Sequence, residues 1–238
     1  MSQHLNAHGQ PVGAPIPDWQ PRPRPPRTPM VGRFCRVEPL DIARHAAELF
    51  DANSDDASGA NWTYLGIDAP PDFAAYCAWL EKMAAGDDPL FHAIVDGTGR
   101  AVGVATLMRI DPANGVIEVG NINYSPRLQR KPAATEAMYL MMRRSFDELG
   151  YRRYEWKCDD LNAPSRAAAA RLGFRYEGIF LQAVVYKGRN RDTAWFSITD
   201  KEWPAVKAGF ERWLDPSNFD AAGRQKQGLV ELRGGRPA

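Results

Sequence analysis

Two four-residue turns, Asp96-Gly97-Thr98-Gly99 and Pro112-Ala113-Asn114-Gly115, separate three stretches that read as strands, 90–96, 101–111 and 115–124. Connections this short join only antiparallel neighbours, and Gly and Asn supply the positive φ that hairpin turns require. Residues 90–124 are therefore expected to form a meander, and its period of two changes abruptly in the segment that follows. Over 135–150, Met138, Leu140, Met141, Met142, Phe146 and Leu149 fall where one helix can bury them, and Gly150 stands as its stop.

The flanking sequence extends this order. Residues 32–40 predict a first strand and 41–53 a helix with Asp41 as its N-cap. Residues 70–86 predict a second helix, with Phe73, Tyr76, Cys77 and Leu80 on one face. After the long helix come a strand at 151–158, an Ala-rich helix at 162–173, a hairpin at 174–198 turning near 187–192, and a last helix at 200–214. Strands first in hairpins and then alternating with helices imply an α/β (α+β) fold, a mixed and mostly antiparallel sheet with helices on its faces.

The ends differ from this body. Residues 1–30 are Pro-rich and predict an extended arm. Residues 216–238 are polar and Gly-rich, and are expected to fray, with Leu229, Val230 and Leu232 as a short docking strand. The organisation expected is an arm at 1–30, one domain at 31–215 and a tail at 216–238.

A formal charge of +1 gives no field of one sign, so neither nucleic acid nor a membrane surface is expected as the main partner. Cys35, Cys77 and Cys158 are odd in number and widely spaced, which suggests neither a disulfide framework nor a zinc site. The start of the chain lacks the apolar core of a secretory signal, and no run of about 18 apolar residues exists to span a bilayer. A cytoplasmic location is expected.

One segment carries chemistry. In Leu128-Gln129-Arg130-Lys131-Pro132-Ala133-Ala134-Thr135-Glu136-Ala137-Met138 a strand runs into a helix with Arg127, Arg130 and Lys131 at the junction, where backbone N–H groups can hold an anion. No Walker lysine and no GxGxxG accompany it, so ATP and NAD are poorly supported. By itself the segment reads more readily as a basic helix start facing water. It is similar, however, to the acyl-CoA-binding turn of the GCN5-related N-acetyltransferase (GNAT) superfamily, Q/R-x-x-G-x-G/A, with Gln129, Pro132 and Ala134 in the three marked places. The continuation through Ala134, Thr135, Glu136 and Ala137 resembles most closely the ribosomal-protein-alanine acetyltransferase-like subgroup.

Proline in place of the middle glycine removes one N–H, yet its fixed φ suits the first turn of a helix, and Ala134 allows close approach. The resemblance thus implies a pyrophosphate cradle made by Gln129 and the amides of Arg130, Lys131, Ala133, Ala134 and Thr135. A second match follows in the order that the family requires: Asn162, Ser165, Arg166, Leu172, Gly173, Phe174, Glu177 and Gly178 resemble its N-x-x-S/A helix and returning strand. Asn162 and Gly173 also serve simply as caps of that helix. Together the matches cover roughly residues 32–203.

What the resemblance implies is an enzyme of N-acyl transfer. The strands at 115–124 and 151–158 would splay, the pantetheine arm of acetyl-CoA would lie between them, and Asn162, Ser165 and Arg166 would border it. A backbone N–H within 120–124 would polarise the thioester carbonyl, Gly120 permitting the distortion. The tyrosine that many members place seven residues after the Asn is Ala169 here, so Ser165 is the candidate to protonate or hydrogen-bond the departing thiolate. Glu118, just before the distortion, is the candidate base for the amine, against the reading of an ordinary polar strand residue. Trp62 and Tyr64 are candidates for the acceptor pocket or, alternatively, core aromatics. His45 and His92 are read as structural, and Cys158 as a buried thiol.

No metal is implied. The acceptor would be a small-molecule amine or a protein N-terminus, and a homodimer would match the subgroup's frequent state. Two other readings stay open: a non-catalytic acyl-CoA-binding or interaction domain, and a transferase using a larger acyl-CoA such as succinyl-CoA. The turn at 187–192 is left between the acceptor and a neighbouring subunit.

Overall fold

The structure, a computed structural model, describes residues 4–235, so the first three residues of the arm and the last three of the tail lie outside it. The chain opens with a small hairpin, β1 (His4–Leu5) and β2 (Pro11–Val12), then β3 (Met30–Val31), β4 (Cys35–Pro39) and the helices α1 (Ile42–Ser54) and α2 (Phe73–Ala84). The meander follows as β5 (Leu90–Asp96), β6 (Ala101–Asp111) and β7 (Val116–Tyr124), leading into α3 (Pro132–Arg143). The chain continues with β8 (Arg153–Asp159), α4 (Ala163–Leu172), β9 (Arg175–Tyr186), β10 (Arg189–Thr199), α5 (Trp203–Leu214) and α6 (Leu229–Leu232).

Eight strands form one sheet in the order β3-β4-β5-β6-β7-β8-β10-β9, and every pairing is antiparallel except that of β7 with β8. This is the α/β architecture that the sequence predicts. β5 and β6 are buried on both faces because helices cover both. On one face α1 and α2 pack Ala46, Leu49, Tyr76 and Leu80 against Ala93, Val95 and Val104. On the other, α3 and α5 bury Met138, Met141, Met142, Phe210 and Trp213 in the larger core. Among the described residues no helix is long and apolar enough to cross a membrane.

The arm lies along the surface. Trp19 Nε1 donates to the carbonyl of Ala113 at 2.7 Å, the N–H of Arg22 to that of Pro112 at 2.9 Å, and Arg27 to that of Gly86 at 2.9 Å. Two local expectations change. The long helix begins at Pro132 rather than 135, and its end widens into a π-helical turn over Arg144–Glu148, where Arg144 donates to the carbonyls of Thr28 and Pro29. The tail is exposed over 221–227 but docks again at its end, where Leu229, Val230 and Leu232 sit in the helix α6, not in a strand. Their spacing suits one helical turn laid on α4 and α5: Leu229 is buried, and Arg233 donates to the carbonyl of Ala170 at 3.1 Å.

Glu136 ties the first turn of α3 to the sheet. Its buried carboxylate accepts from the N–H groups of Arg33 at 2.7 Å, Phe34 at 2.6 Å and Cys35 at 2.9 Å, and Gly32 leaves it room, since a Cβ there would collide with the carboxylate. Hydrogen bonds to a charged group are each worth about 1.5–3 kcal/mol when a partner would otherwise be stranded. Glu136→Ala is therefore expected to destabilise the protein by about 2–4 kcal/mol, and Glu136→Gln by less, because one acceptor remains. Denaturant unfolding reads both, and an unchanged midpoint for Glu136→Ala contradicts the assignment.

Candidate active site

The one parallel pairing stops early. β7 and β8 are in register from Val116 opposite Arg153 to Val119 opposite Trp156, and beyond that point β7 keeps only β6, and β8 only β10. The cause is local. Asn121 has φ 46°, and the β6–β7 register shifts between Thr106 opposite Gly120 and Val104 opposite Asn123. Gly120 lets the side chain of Met108 lie against the bend, where a Cβ would push the Met108 sulfur aside. The side of β7 that faces β8 over residues 120–124 is left without its sheet partner, and such groups must bond elsewhere.

A cleft of about 740 Å³ runs through the gap. At one end it meets the turn 129–132 and the start of α3; at the other it reaches Tyr64 and Leu65; Met138 and Trp156 form part of its wall. A second cleft of about 400 Å³ shares Tyr64, Leu65, Ile122, Trp156, Asn162 and Ser165 with the first and extends to Glu118 and Trp195. The two open into one another where the strands part.

The anion end is built from the backbone. Arg130 takes φ 60°, the conformation a glycine would take most easily, and Pro132 occupies the first turn of α3. Of the five amides expected there, that of Lys131 already donates to Leu128 (3.2 Å) and that of Ala134 to Lys131 (3.1 Å). The amides of Arg130 and Ala133 meet no acceptor among the described residues. Thr135 Oγ1 accepts from Arg171 Nη1 at 3.1 Å, which brings a further cation to the cleft wall. The side chains of Arg130 and Lys131 are exposed and make no ion pair among the described residues. Arg127, by contrast, is committed to Asp51 and Asp55 at 2.7 and 2.8 Å. Gln129 lines the cleft, and its side chain is engaged there: Nε2 donates to Tyr124 O (2.8 Å) and Asn61 Oδ1 (2.7 Å), closing the end of the unpaired strand.

At the junction of the clefts, Asn162 Oδ1 accepts from the N–H of Ser165 at 3.1 Å, the N-cap of α4. Ser165 Oγ accepts from Trp156 Nε1 at 2.9 Å, which leaves its own proton to give. Burial pushes the Cys158 thiol up, against a hydrogen bond with Ser165, so it stays neutral. Ala169 is fully buried. Arg166 turns away, ion-paired with Asp160 and stacked over Tyr176 at 5.5 Å.

In the smaller cleft Glu118 is 5% exposed. Burial pushes its carboxyl up, while Lys157 and Arg109 pull it back. Both cations contact Oε2, at 2.7 and 3.2 Å, and Oε1, beside Gly120, has no partner among the described residues. Tyr64 lines both clefts and donates to the carbonyl of Leu161 at 3.0 Å. Trp62 lines neither: it is buried against Tyr76 and Trp79 in the core under α1 and α2. The reason is steric, since the short helical turn at Ala60–Trp62 directs that ring inward. Lys187 Nζ donates to Trp62 O at 2.8 Å and pairs with Asp68 at 3.0 Å, pinning the tip of the β9–β10 hairpin to the same loop. His45 and His92 are buried, His92 with its imidazolium pulled down to about 4 by burial, and among the described residues no cluster of ligands could hold a metal.

Trp156, Arg171 and Asn61 escaped the sequence reading. For Trp156 a signal existed, because in the strand expected at 151–158 its alternation with Tyr154 and Cys158 puts it on the face toward the Ala-rich helix.

Comparison with known proteins agrees with this geometry. The family described as "Acetyltransferase (GNAT) domain" matches residues 36–175, more than half of the chain. A crystal structure of a GCN5-related N-acetyltransferase from Brucella melitensis is 52% identical, with a TM-score of 0.90, covering 92% of this chain and 100% of that one. That of a probable acetyltransferase of the GNAT family from Chromobacterium violaceum is 38% identical, with a TM-score of 0.76, covering 82% and 98%. An uncharacterized N-acetyltransferase, p20, of Bacillus licheniformis is 30% identical over 113 residues, 48% of this chain and 63% of that protein's length.

Because Lys131 stands free beside the uncommitted amides, Lys131→Glu is expected to weaken coenzyme A binding about tenfold at low salt, and less as salt screens the charge. Calorimetry at two ionic strengths checks this; an unchanged affinity places the diphosphate elsewhere.

Proposed function

The chain belongs to the GNAT acetyltransferase family, and on that premise we propose that it moves an acetyl group from acetyl-CoA to a primary amine by direct attack in a ternary complex. The observation that carries this is the parted pair β7 and β8, with uncommitted amides at one end of the gap and a hydroxyl poised at the other.

The diphosphate is held by the amides of Arg130 and Ala133, supported by the cations of Arg130, Lys131 and Arg171. The amides of pantetheine complete the unpaired edge of β7, and one N–H within 120–124 donates to the thioester oxygen as negative charge develops on it. The amine nitrogen forms a C–N bond with the carbonyl carbon, the C–S bond breaks, nitrogen gives up a proton and sulfur acquires one. Glu118 Oε1 receives the proton from nitrogen, directly or through water; burial has raised its basicity toward that task. Ser165 donates a hydrogen bond to the departing sulfur, with its oxygen held by the indole N–H of Trp156. No protein nucleophile is needed, in keeping with the neutral buried thiol of Cys158.

Two departures from the family pattern are thereby compensated. The N–H lost at Pro132 leaves two other free amides, and Ser165 stands in for the tyrosine missing at Ala169. The acceptor is an amine reached through the smaller cleft under the β9–β10 hairpin, which the Lys187 anchor holds down.

A thiol-release assay with acetyl-CoA over a panel of amines tests the activity, and the absence of release with every amine contradicts it. In that assay Ser165→Ala is expected to lower kcat about 10- to 100-fold, the worth of a hydrogen bond to a charged sulfur, with KM for acetyl-CoA within about twofold. Turnover as fast as the parent's removes Ser165 from the chemistry. The base has its own signature: activity falls as pH drops through the raised pKa of Glu118, and Glu118→Gln lowers kcat and abolishes that acid limb. An acid limb that survives the substitution assigns it to another group.

A further inference from the structure

β10 directs Arg191, Thr193 and Trp195 to one face, and all three line the smaller cleft. Each carries a polar atom with no hydrogen-bond partner among the described residues: Arg191 Nε, Thr193 Oγ1 and Trp195 Nε1. Thr193 is 5% exposed, so its hydroxyl has no bulk water to turn to. Buried polar groups without partners are rare because each forfeits a hydrogen bond it had in water, and here three stand at alternate positions of one strand, on a single face that borders the cleft.

The acidic groups around this row already have hydrogen-bond or ion-pair partners. Glu118 is met by Lys157 and Arg109, and Lys157 also by Glu155 at 2.7 Å. Asp159 accepts from Tyr186 Oη at 2.7 Å and from the N–H of Leu161 at 2.9 Å, and Asp192 from the N–H of Gln182 at 2.7 Å and from Asn190. Arg191 makes no ion pair among the described residues; its guanidinium lies 5.8 Å from the Tyr186 ring centroid. A planar anion of single charge suits a guanidinium fork beside a hydroxyl, whereas a phosphate dianion would sit against Glu118 and Asp159.

We propose that the acceptor of this enzyme is a small amine that carries a carboxylate, which Arg191, Thr193 and Trp195 bind while the amine points to the junction of the clefts at Ser165. This names the substrate class of the acetyl transfer proposed above and rests on that reading. It also accounts for the pinned hairpin, because a β10 fixed through Lys187 holds its donors at a set distance from the thioester position.

The test is calorimetric and does not depend on turnover. The protein saturated with coenzyme A is titrated with glycine, β-alanine, γ-aminobutyrate and the protein amino acids, each against its own carboxamide. At least one acid is expected to bind about tenfold or more tightly than its amide, the worth of a charge-assisted bond over a neutral one. Arg191→Ala and Thr193→Val should each erase that preference and leave coenzyme A affinity within about twofold. Thr193→Val replaces an unpartnered hydroxyl with a methyl of similar size, so it carries the test even if the arginine variant does not fold. The proposal is overturned if no acid is preferred to its amide, or if the preference survives both substitutions. It is also overturned if succinyl-CoA binds more tightly than acetyl-CoA and Arg191→Ala removes the difference, since the carboxylate then belongs to the donor. Failure of acetyl transfer itself would appear separately, as absent thiol release with every amine.

Discussion

A strand pairing that ends after four residues governs the rest of this molecule. Up to Val119 and Trp156 the sheet satisfies its own backbone; past them β7 bends away at Gly120 and Asn121, and its amides face a gap instead of β8. Backbone groups left dry and unpaired are costly, so the gap is a demand for a partner with amide-like donors and acceptors. The neighbouring elements converge on it: α3 brings its free N-terminal amides to one end, and α4 brings Ser165 to the other.

Charge holds the smaller cleft as hydrogen bonding holds the larger one. Glu118, Lys157, Glu155, Arg153 and Glu177 run as a chain of alternating charges across β7, β8 and β9, with contacts between 2.6 and 2.7 Å. Such buried pairs add little net stability, because desolvation offsets most of their attraction, but removing one member strands its neighbour at a cost of about 3–5 kcal/mol. The network therefore acts mainly to hold geometry. It keeps Glu118 Oε2 occupied and its Oε1 open toward Gly120, while the indole ring of Trp195 stacks under Lys157 at 3.8 Å.

Much of this was legible in the sequence. The turns at 96–99 and 112–115 forced the meander, the period change over 135–150 gave α3 beyond its first turn, and the motifs around Gln129 and Asn162 supplied residues that line the larger cleft. Side-chain commitments were not legible. Arg127, Arg130 and Lys131 look equivalent in sequence, yet only tertiary packing shows that Asp51 and Asp55 capture the first. Trp62 and Tyr64 are two residues apart, and the direction of one short turn sends the first to the core and the second to the cleft. The tail read as frayed because its apolar residues are few, whereas α4 and α5 offer glycines at 173 and 209 that let Arg233 pack closely. The donor row on β10 was hidden for a different reason: unpartnered atoms are a property of the folded surroundings, not of residue type.

The central claim is that the open edge of β7 is completed by the arm of the coenzyme. Amide hydrogen exchange measured over residues 116–124, with and without coenzyme A, tests it most directly. The account predicts that protection rises within 120–124 on binding while 116–119, already paired with β8, changes little. Saturated coenzyme with unchanged exchange across 120–124 contradicts it.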